Sequence, residues 1–501
     1  RVLDALRRMR QPDALLTPEI AHEVAVREGA DLVILPSIAR IGARYTLALR
    51  LERPGSGERL RTLSRRASET DEILPALDDI AAQLRAFLGE SPGALQQQNV
   101  SLFEGTTASL PALQAFSKGR EEHARGRFPD ALQHYRTALQ LDSTFSIANS
   151  ALGMLLFERG QQDSARHYMQ RARAGLGDLT QREQLNLRTT ASLVLDGDME
   201  AAAGYQRALL ALYPDHYGAH NNLGRISWLQ GKEQEAAKHY HRTLEIYPRL
   251  DIAYDGLLYL YLYRFGQLDS ALVWSRRQVE HDPTRFDAYN NLGWAYMGVD
   301  SLEQAVVTFR RALELDPDYV SPYGAQAASA ELVRFRLAHA YRLLGRHRDA
   351  ERILLEVLRR DSTVASAYYT LGVVHEAAGD SAAADAAYER FLTLIRGDEQ
   401  RAPTARGQLM LSAVLARLNR TREADTARLR ALRMDSTLHF ENGLTLAVLD
   451  RHDEAMVAFE LAIANGFRNY VWLYIHPDVD ALRPSAQFQA LVSRVLHRTD
   501  A

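Results

Sequence analysis

Over most of the chain, apolar positions recur every three or four residues in stretches of about 13, separated by Gly or closed by Pro. This is the pattern of paired amphipathic helices. The stretch 217–250 (YGAHNNLGRISWLQGKEQEAAKHYHRTLEIYPRL) places Leu223 and Gly224 on a first helix, Gly231 at a turn, Ala236 and Tyr240 on a second helix, and Pro248 where that helix must stop. Residues 286–319 repeat the phrase, with Asn222/Asn291, Leu223/Leu292, Gly224/Gly293, Ala236/Ala305 and Pro248/Pro317 all 69 residues apart, two periods of 34 and one residue more. Small residues at Gly224 and Ala236 predict the crossing point of two antiparallel helices, where a larger side chain would push the axes apart. With the second-helix Ala as a ruler, the series runs Ala131, Ala165, Ala201, Ala236, Ala271, Ala305, Ala350, Ala384, Ala424, Ala455. Ten stacked helix pairs are expected over 112–467.

Residues 1–95 have another texture. A helix over Val2 to Arg10 and one beginning near Thr17, with Pro18 in its first turn, precede three β segments at about 31–40, 45–53 and 59–67. Ile41-Gly42-Ala43-Arg44 and Pro54-Gly55-Ser56-Gly57 supply the turns of an antiparallel meander. Alternation puts Tyr45, Leu47, Leu49 and Leu51 on one face, to be covered by a helix over Ile73 to Leu88. Residues 96–111 read as a linker whose Ser, Thr and Pro also cap the first repeat helix. The fold class expected is a small α/β (α+β) domain with an antiparallel meander, followed by an all-α superhelical solenoid.

Several pairs depart from the period. The third, opening LTQREQLNLRTTASLVLDGD, lacks the Leu-Gly step. The seventh carries about eleven extra residues within 318–338, expected to lengthen its first helix. The ninth is long in the polar connection GDEQRAPT, and the tenth has a short first helix near 441–449. A closing segment, 468–501, is expected to cap the array with Phe488, Leu491, Val492, Val495 and Leu496 on one stripe, since a terminal repeat has no neighbour to bury its face.

Composition narrows the chemistry. A net charge of −3 gives no basic footprint and argues against nucleic acid as a partner. The absence of Cys removes disulfides, thiolate metal sites and Cys nucleophiles, without choosing a compartment. No apolar run reaches the length of a membrane span, and no signal peptide is visible. Because residue 1 is Arg, the chain is expected to begin inside a longer protein. P-loop, nucleophile-elbow, zincin and kinase motifs are all absent, so no catalytic residues and no cofactor are assigned. His216 and His220 have helical ligand spacing, but the neighbouring Asp215 lies off their face and His239 and His241 diverge, so surface histidines are expected rather than a metal site. Ser64-Arg65-Arg66-Ala67-Ser68 has the look of a basophilic kinase target and is read as a strand end with solvated Arg.

The order Leu-Gly, Ala, Tyr/Phe, Pro over 34 residues resembles the tetratricopeptide repeat. That resemblance implies a groove walled by first helices, which holds an extended peptide or a partner helix. Its wall positions map here onto Asn221, Arg225 and Trp228; Asp255, Tyr259 and Leu262; Asn290, Trp294 and Met297; Phe335 and His339; and Tyr369, with Asn222 and Asn291 at the position where the family's Asn bonds a bound backbone. The alternative is that these aromatics are packing between repeats and the Asn are solvated. With Lys absent from these helices, the family's clamp for a terminal carboxylate is not expected. EVAVREGADLVILPSI, GARYTLALRLERPGSGERL and ILPALDDIAAQL resemble the TolB N-terminal-like domain, though that family's opening strand is missing, which implies an exposed sheet edge. The two resemblances together imply the non-catalytic part of a bacterial signalling protein that binds a protein or peptide partner. The alternatives are a substrate-presenting region of a Ser/Thr kinase or cyclase, and a cell-envelope assembly factor.

Overall fold

The computed structural model describes the chain apart from residues 1–16, 43, 91–106, 108, 125–126, 249, 320–328, 402 and 497–501. The expected helix at Val2 to Arg10 and most of the linker lie outside the described residues. Two compact bodies result, one up to residue 249 and one from residue 250.

The N-terminal body opens with α1 (Pro18–Arg27), started by Thr17, whose hydroxyl accepts from the Ile20 amide. Strands β1 (Val33–Ile41), β2 (Arg44–Glu52) and β3 (Arg59–Ala67) form an antiparallel sheet in the order β1-β2-β3. The alternation of β2 works as the pattern requires: Leu47 and Leu51 are buried with Leu63 of β3 against Ile73, Ala76 and Ile80 of α2 (Ile73–Phe87), and Tyr45 and Leu49 pack partly on the same core. At the edge, β1 leaves Ile34, Ile38 and Ile41 exposed.

Helix pairs follow: α3 (Leu110–Ala124) with α4 (Phe128–Leu141), α5 (Ser146–Glu158) with α6 (Gln162–Ala174), α7 (Gln181–Ala191) with α8 (Met199–Leu212), and α9 (Tyr217–Leu229) with α10 (Glu233–Ile246). Thr107 donates to Asp142, and the Ser109 hydroxyl accepts from the Ala112 amide to begin α3. The C-terminal body continues with α11 (Asp251–Leu260) and α12 (Leu268–His281), α13 (Phe286–Gly298) and α14 (Leu302–Leu315), α15 (Ala330–Leu343) and α16 (His347–Arg360), α17 (Ala365–Ala377) and α18 (Ser381–Arg401), α19 (Ala405–Arg417) and α20 (Thr421–Met434), and α21 (His439–Val448) and α22 (His452–Ala464).

What locks a pair is a ring from the second helix lying on a glycine of the first. A Cβ built on Gly224 would stand 2.8 Å from the Tyr240 ring, on Gly293 2.5 Å from Phe309, on Gly372 2.3 Å from Tyr388, and on Gly443 2.6 Å from Phe459; Gly119 against Tyr135 is alike, at 2.6 Å. These rings sit four residues after the ruler alanines, which are themselves fully buried. Where the first helix carries a side chain instead, the ring is gone. Ala338 is matched by Leu354, and Ser412, whose hydroxyl donates to the Ala424 carbonyl at 2.6 Å, by Arg428. In the third pair the ruler residue is Ala202 rather than Ala201, which is only half-buried, and Gln206 replaces the ring and donates to the Thr189 hydroxyl at 2.7 Å.

The one-residue shift has a local cause. The third and fifth pairs end their first helices in π turns, Ser192–Asp196 and Tyr261–Phe265, each closed by a glycine at positive φ, Gly197 and Gly266. A π turn is a single-residue insertion in an α-helix, so Tyr261–Phe265 accounts for the odd residue in the 69-residue separation.

Two expectations are corrected. The extra residues of the seventh pair do not lengthen its first helix: α15 has 14 residues, because Ser329 caps it by accepting from the Leu332 amide. Those of the ninth lie in helix, since α18 runs for 21 residues up to Arg401. Gly397 inside a helix costs only about 1 kcal/mol, and the first strong breaker is Pro403.

The Gly293→Ala variant is expected to lose about 1–2 kcal/mol in urea unfolding of the C-terminal body, because overpacking outweighs the helical gain of Ala. Adding Phe309→Leu, the solution already present at Ala338 and Leu354, is expected to restore most of it. A single variant as stable as the parent would show that the ring contact is not limiting.

Candidate functional site

In the C-terminal body the chain folds back on its own repeats. After α22, the six-residue helix α23 (Tyr470–Ile475) and a 3₁₀ turn (Pro477–Val479) lie among the first helices, and α24 (Ala486–Leu496) seals α22 with Phe488, Leu491 and Val492. The sequence YVWLYI has no polar face, and a helix apolar all round must be buried on all sides. Tyr470, Val471, Leu473 and Ile475 are each at most 5% exposed. Val471 approaches Gly298 of α13, where an added Cβ would lie 3.1 Å from it.

The side chains that grip this segment come from successive first helices. The Trp472 ring lies 6.4 Å from Trp294 of α13 and meets His339 of α15 edge-on at 5.5 Å. Arg342, also on α15, donates to the Ile475 carbonyl at 3.0 Å and to Asp480 at 2.5 Å. Asp478 accepts from Tyr369 of α17 and, at 2.5 Å, from Arg417 of α19, which also pairs with Glu376. Asn469 caps α23, and His476 Nδ1 accepts from the Asp478 amide at 3.2 Å. Burial holds His476 well below the ordinary imidazole range, at about 4, with Arg417, Arg342 and Arg483 adding to the effect against the pull of Asp478. Burial raises the Asp478 carboxyl, but Arg417, His476 and Tyr369 outweigh it and it lies below its usual value.

Beside the segment remains a cavity of about 650 Å³, lined mainly by apolar side chains, with Trp294, Phe335, His339 and Tyr369 in its wall. Among the other mapped positions, Asn290 is buried and accepts from Arg336 at 2.7 Å, and Met297 and Leu262 are buried. Tyr259 is 40% exposed. Asp255 and Asn291 belong to a polar network: the Asn291 amide donates to Asp255 at 3.0 Å and to Gln278 at 3.2 Å, and Arg285 joins Asp251, Asp255 and Asp287. Burial among neighbouring acids raises Asp251 to about 6 in spite of Arg285.

In the N-terminal body, α9 carries Asn221, Asn222, Arg225 and Trp228. Asn221 and Asn222 are half-buried, the Asn221 amide oxygen has no partner, Arg225 pairs with Glu158 at 3.4 Å, and Trp228 is 37% exposed. On the same helix, the His216 side chain accepts from the Ala219 amide, and His220 contacts His239 at 3.1 Å. Sequence reading missed Arg336, Arg342, Arg417, Trp472 and Asp478. The all-apolar YVWLYI followed by His-Pro-Asp was the available signal for the last two, but the arginines look like any solvated helix charge until the segment is placed.

Among the described residues, no helix is long and apolar enough to cross a membrane. Comparison with known proteins locates the repeats. Models described as tetratricopeptide repeat or TPR repeat match residues 119–165, 193–250, 286–319 and 335–402. No curated protein matches the chain. Among solved structures, a tetratricopeptide repeat protein from Parabacteroides merdae is similar at 19% identity over 55% of this chain and 99% of that one, with a TM-score of 0.42. Yeast Tom70 is similar at 14% identity over 78% and 97% (TM-score 0.39), and YrrB, a TPR protein with an unusual peptide-binding site, at 16% over 38% and 93% (TM-score 0.33). The helix pairs within the four matched stretches of this chain are tetratricopeptide repeats.

Proposed function

We propose that the chain is a non-catalytic interaction scaffold that holds a peptide or protein partner along its first helices, as part of a bacterial signalling or regulatory protein. The observation that carries this reading is the grip on 470–480: Trp294, His339 and Tyr369, at wall positions of successive repeats, already hold an irregular segment of polypeptide, with Arg342 on its backbone and Arg417 on its carboxylate. The same kinds of side chain stand on α9, where Asn221 and Asn222 are half-buried and the Trp228 indole is 37% exposed. An amide donates and accepts at once, as an extended backbone requires. The helix, meander and helix of residues 17–90 support reading 1–95 as a TolB-like domain, joined by a linker (96–111) to repeats over 112–467 and a closing segment over 468–501.

Affinity capture from a bacterial lysate with the unaltered chain and with Asn221→Ala/Asn222→Ala/Trp228→Ala tests the wall on α9. A partner retained by the first and reduced at least tenfold by the second is expected, with circular dichroism unchanged. Equal recovery would rule out this wall.

The hold on the resident segment is also expected to weaken in acid. His476 binds its proton less readily when folded, so its contribution is complete above about pH 6.5 and is lost as the pH falls towards 4. The loss amounts to roughly 3 kcal/mol at most. Asp478 adds to it only below that range, where its depressed carboxyl takes up a proton. Protection factors over 470–480, taken relative to the intrinsic exchange rate at each pH, should therefore fall between pH 7 and 5 ahead of those of the helix pairs, and His476→Gln should flatten the dependence.

A further inference from the structure

We propose that the cavity beside the C-terminal segment is a binding site for an amphipathic carboxylic acid of the fatty-acid type, with its carboxylate on Arg336 and its chain along the apolar wall. Arg336 Cζ lies over the Trp294 ring, 4.4 Å from its centroid, and its Nη1 donates to Asn290 Oδ1 at 2.7 Å. The Tyr263 hydroxyl bonds it as well, and the three contacts fix the guanidinium without neutralising it. Among the described residues, no carboxylate forms an ion pair with it, whereas the other charges at the cavity are matched: Asp478 by Arg417 and Glu441 by Arg406 at 3.2 Å. His339, 5% exposed, adds a ring nitrogen, Nδ1, that has no partner among the described residues.

A guanidinium has five N–H donors, so Asn290 and the Tyr263 hydroxyl leave it able to take a carboxylate. A largely enclosed cation without an acid partner is costly, and an anionic ligand removes that cost. Most of the remaining wall is apolar, with Phe335, Leu409, Met410, Phe440, Leu444 and Phe467 lining the space. A volume of about 650 Å³ falls in the range of pockets that enclose a small molecule. The resident segment fills the adjoining space with Trp472 and Pro477, which favours a compact ligand over a through-running peptide. The inference is independent of partner binding on α9.

The test is titration calorimetry of the full chain with dodecanoate and with 1-dodecanol, both below their micelle-forming concentrations, with Trp294 and Trp472 as fluorescent reporters. Dodecanoate is expected to bind at one site and at least tenfold more tightly than the alcohol, a preference of about 1.4 kcal/mol. Arg336→Gln should abolish that preference while leaving the alcohol within twofold. The comparison of acid and alcohol on the unaltered chain does not depend on any variant folding. Equal affinities, no binding of dodecanoate, a preference that survives Arg336→Gln, or tighter binding of an apolar peptide with a free C-terminus would each overturn the proposal.

Discussion

The structure depends on one steric condition, that a ring on the second helix of a pair lies where the first helix has no Cβ. Gly119, Gly224, Gly293, Gly372 and Gly443 meet it with Tyr135, Tyr240, Phe309, Tyr388 and Phe459. The close approach sets the distance between helices in these five pairs, where the ruler alanine is fully buried beside it. In the second pair Gly153 meets Met169 instead of a ring, and three pairs with a bulkier first helix substitute something chemically specific: a Gln-Thr bond, a Ser hydroxyl on a backbone carbonyl, or a plain Ala-Leu contact. The chain thus contains its own set of compensated variants of a single contact.

This explains why the repeats were legible. A contact that needs Gly, Ala and an aromatic at fixed offsets writes itself into the sequence, and so does a two-residue alternation that buries Leu47 and Leu51. What escaped was everything that depends on register or on distant segments. Ala201 looked like the ruler because the π turn before it displaces the count by one, placing Ala202 at the crossing. Asn222 and Asn291 occupy equivalent places in the same phrase, yet Asn291 is tied to Asp255, a full repeat earlier, and to Gln278. Local sequence is identical there; the neighbours differ.

The closing segment is the largest departure from the sequence reading, which foresaw a closing helix with Phe488, Leu491 and Val492 on its buried face but not the entry of α23 among the first helices. The reason is physical. A terminal repeat needs its apolar face covered, and this chain supplies both the covering helix and a further stretch whose residues are too apolar to face water on any side. Burying Arg342 and Arg417 in the process requires Asp480 and Asp478 to come with it, so the polar contacts of the segment follow from the charges it covers.

The π turns carry a consequence for how such arrays tolerate change. One residue added to an α-helix would rotate everything after it by about 100°, turning every buried position of the following helix away from its partner. In the fifth pair the surplus is absorbed within Tyr261–Phe265, and Gly266 restarts the chain in a left-handed conformation, so Ala271 arrives fully buried as though nothing had been added. The length of the sequence and the phase of the fold are thereby uncoupled at that point. Insertions confined to the last turn of a first helix are neutral for stacking, and the repeats can drift in length while their crossing contacts stay in step.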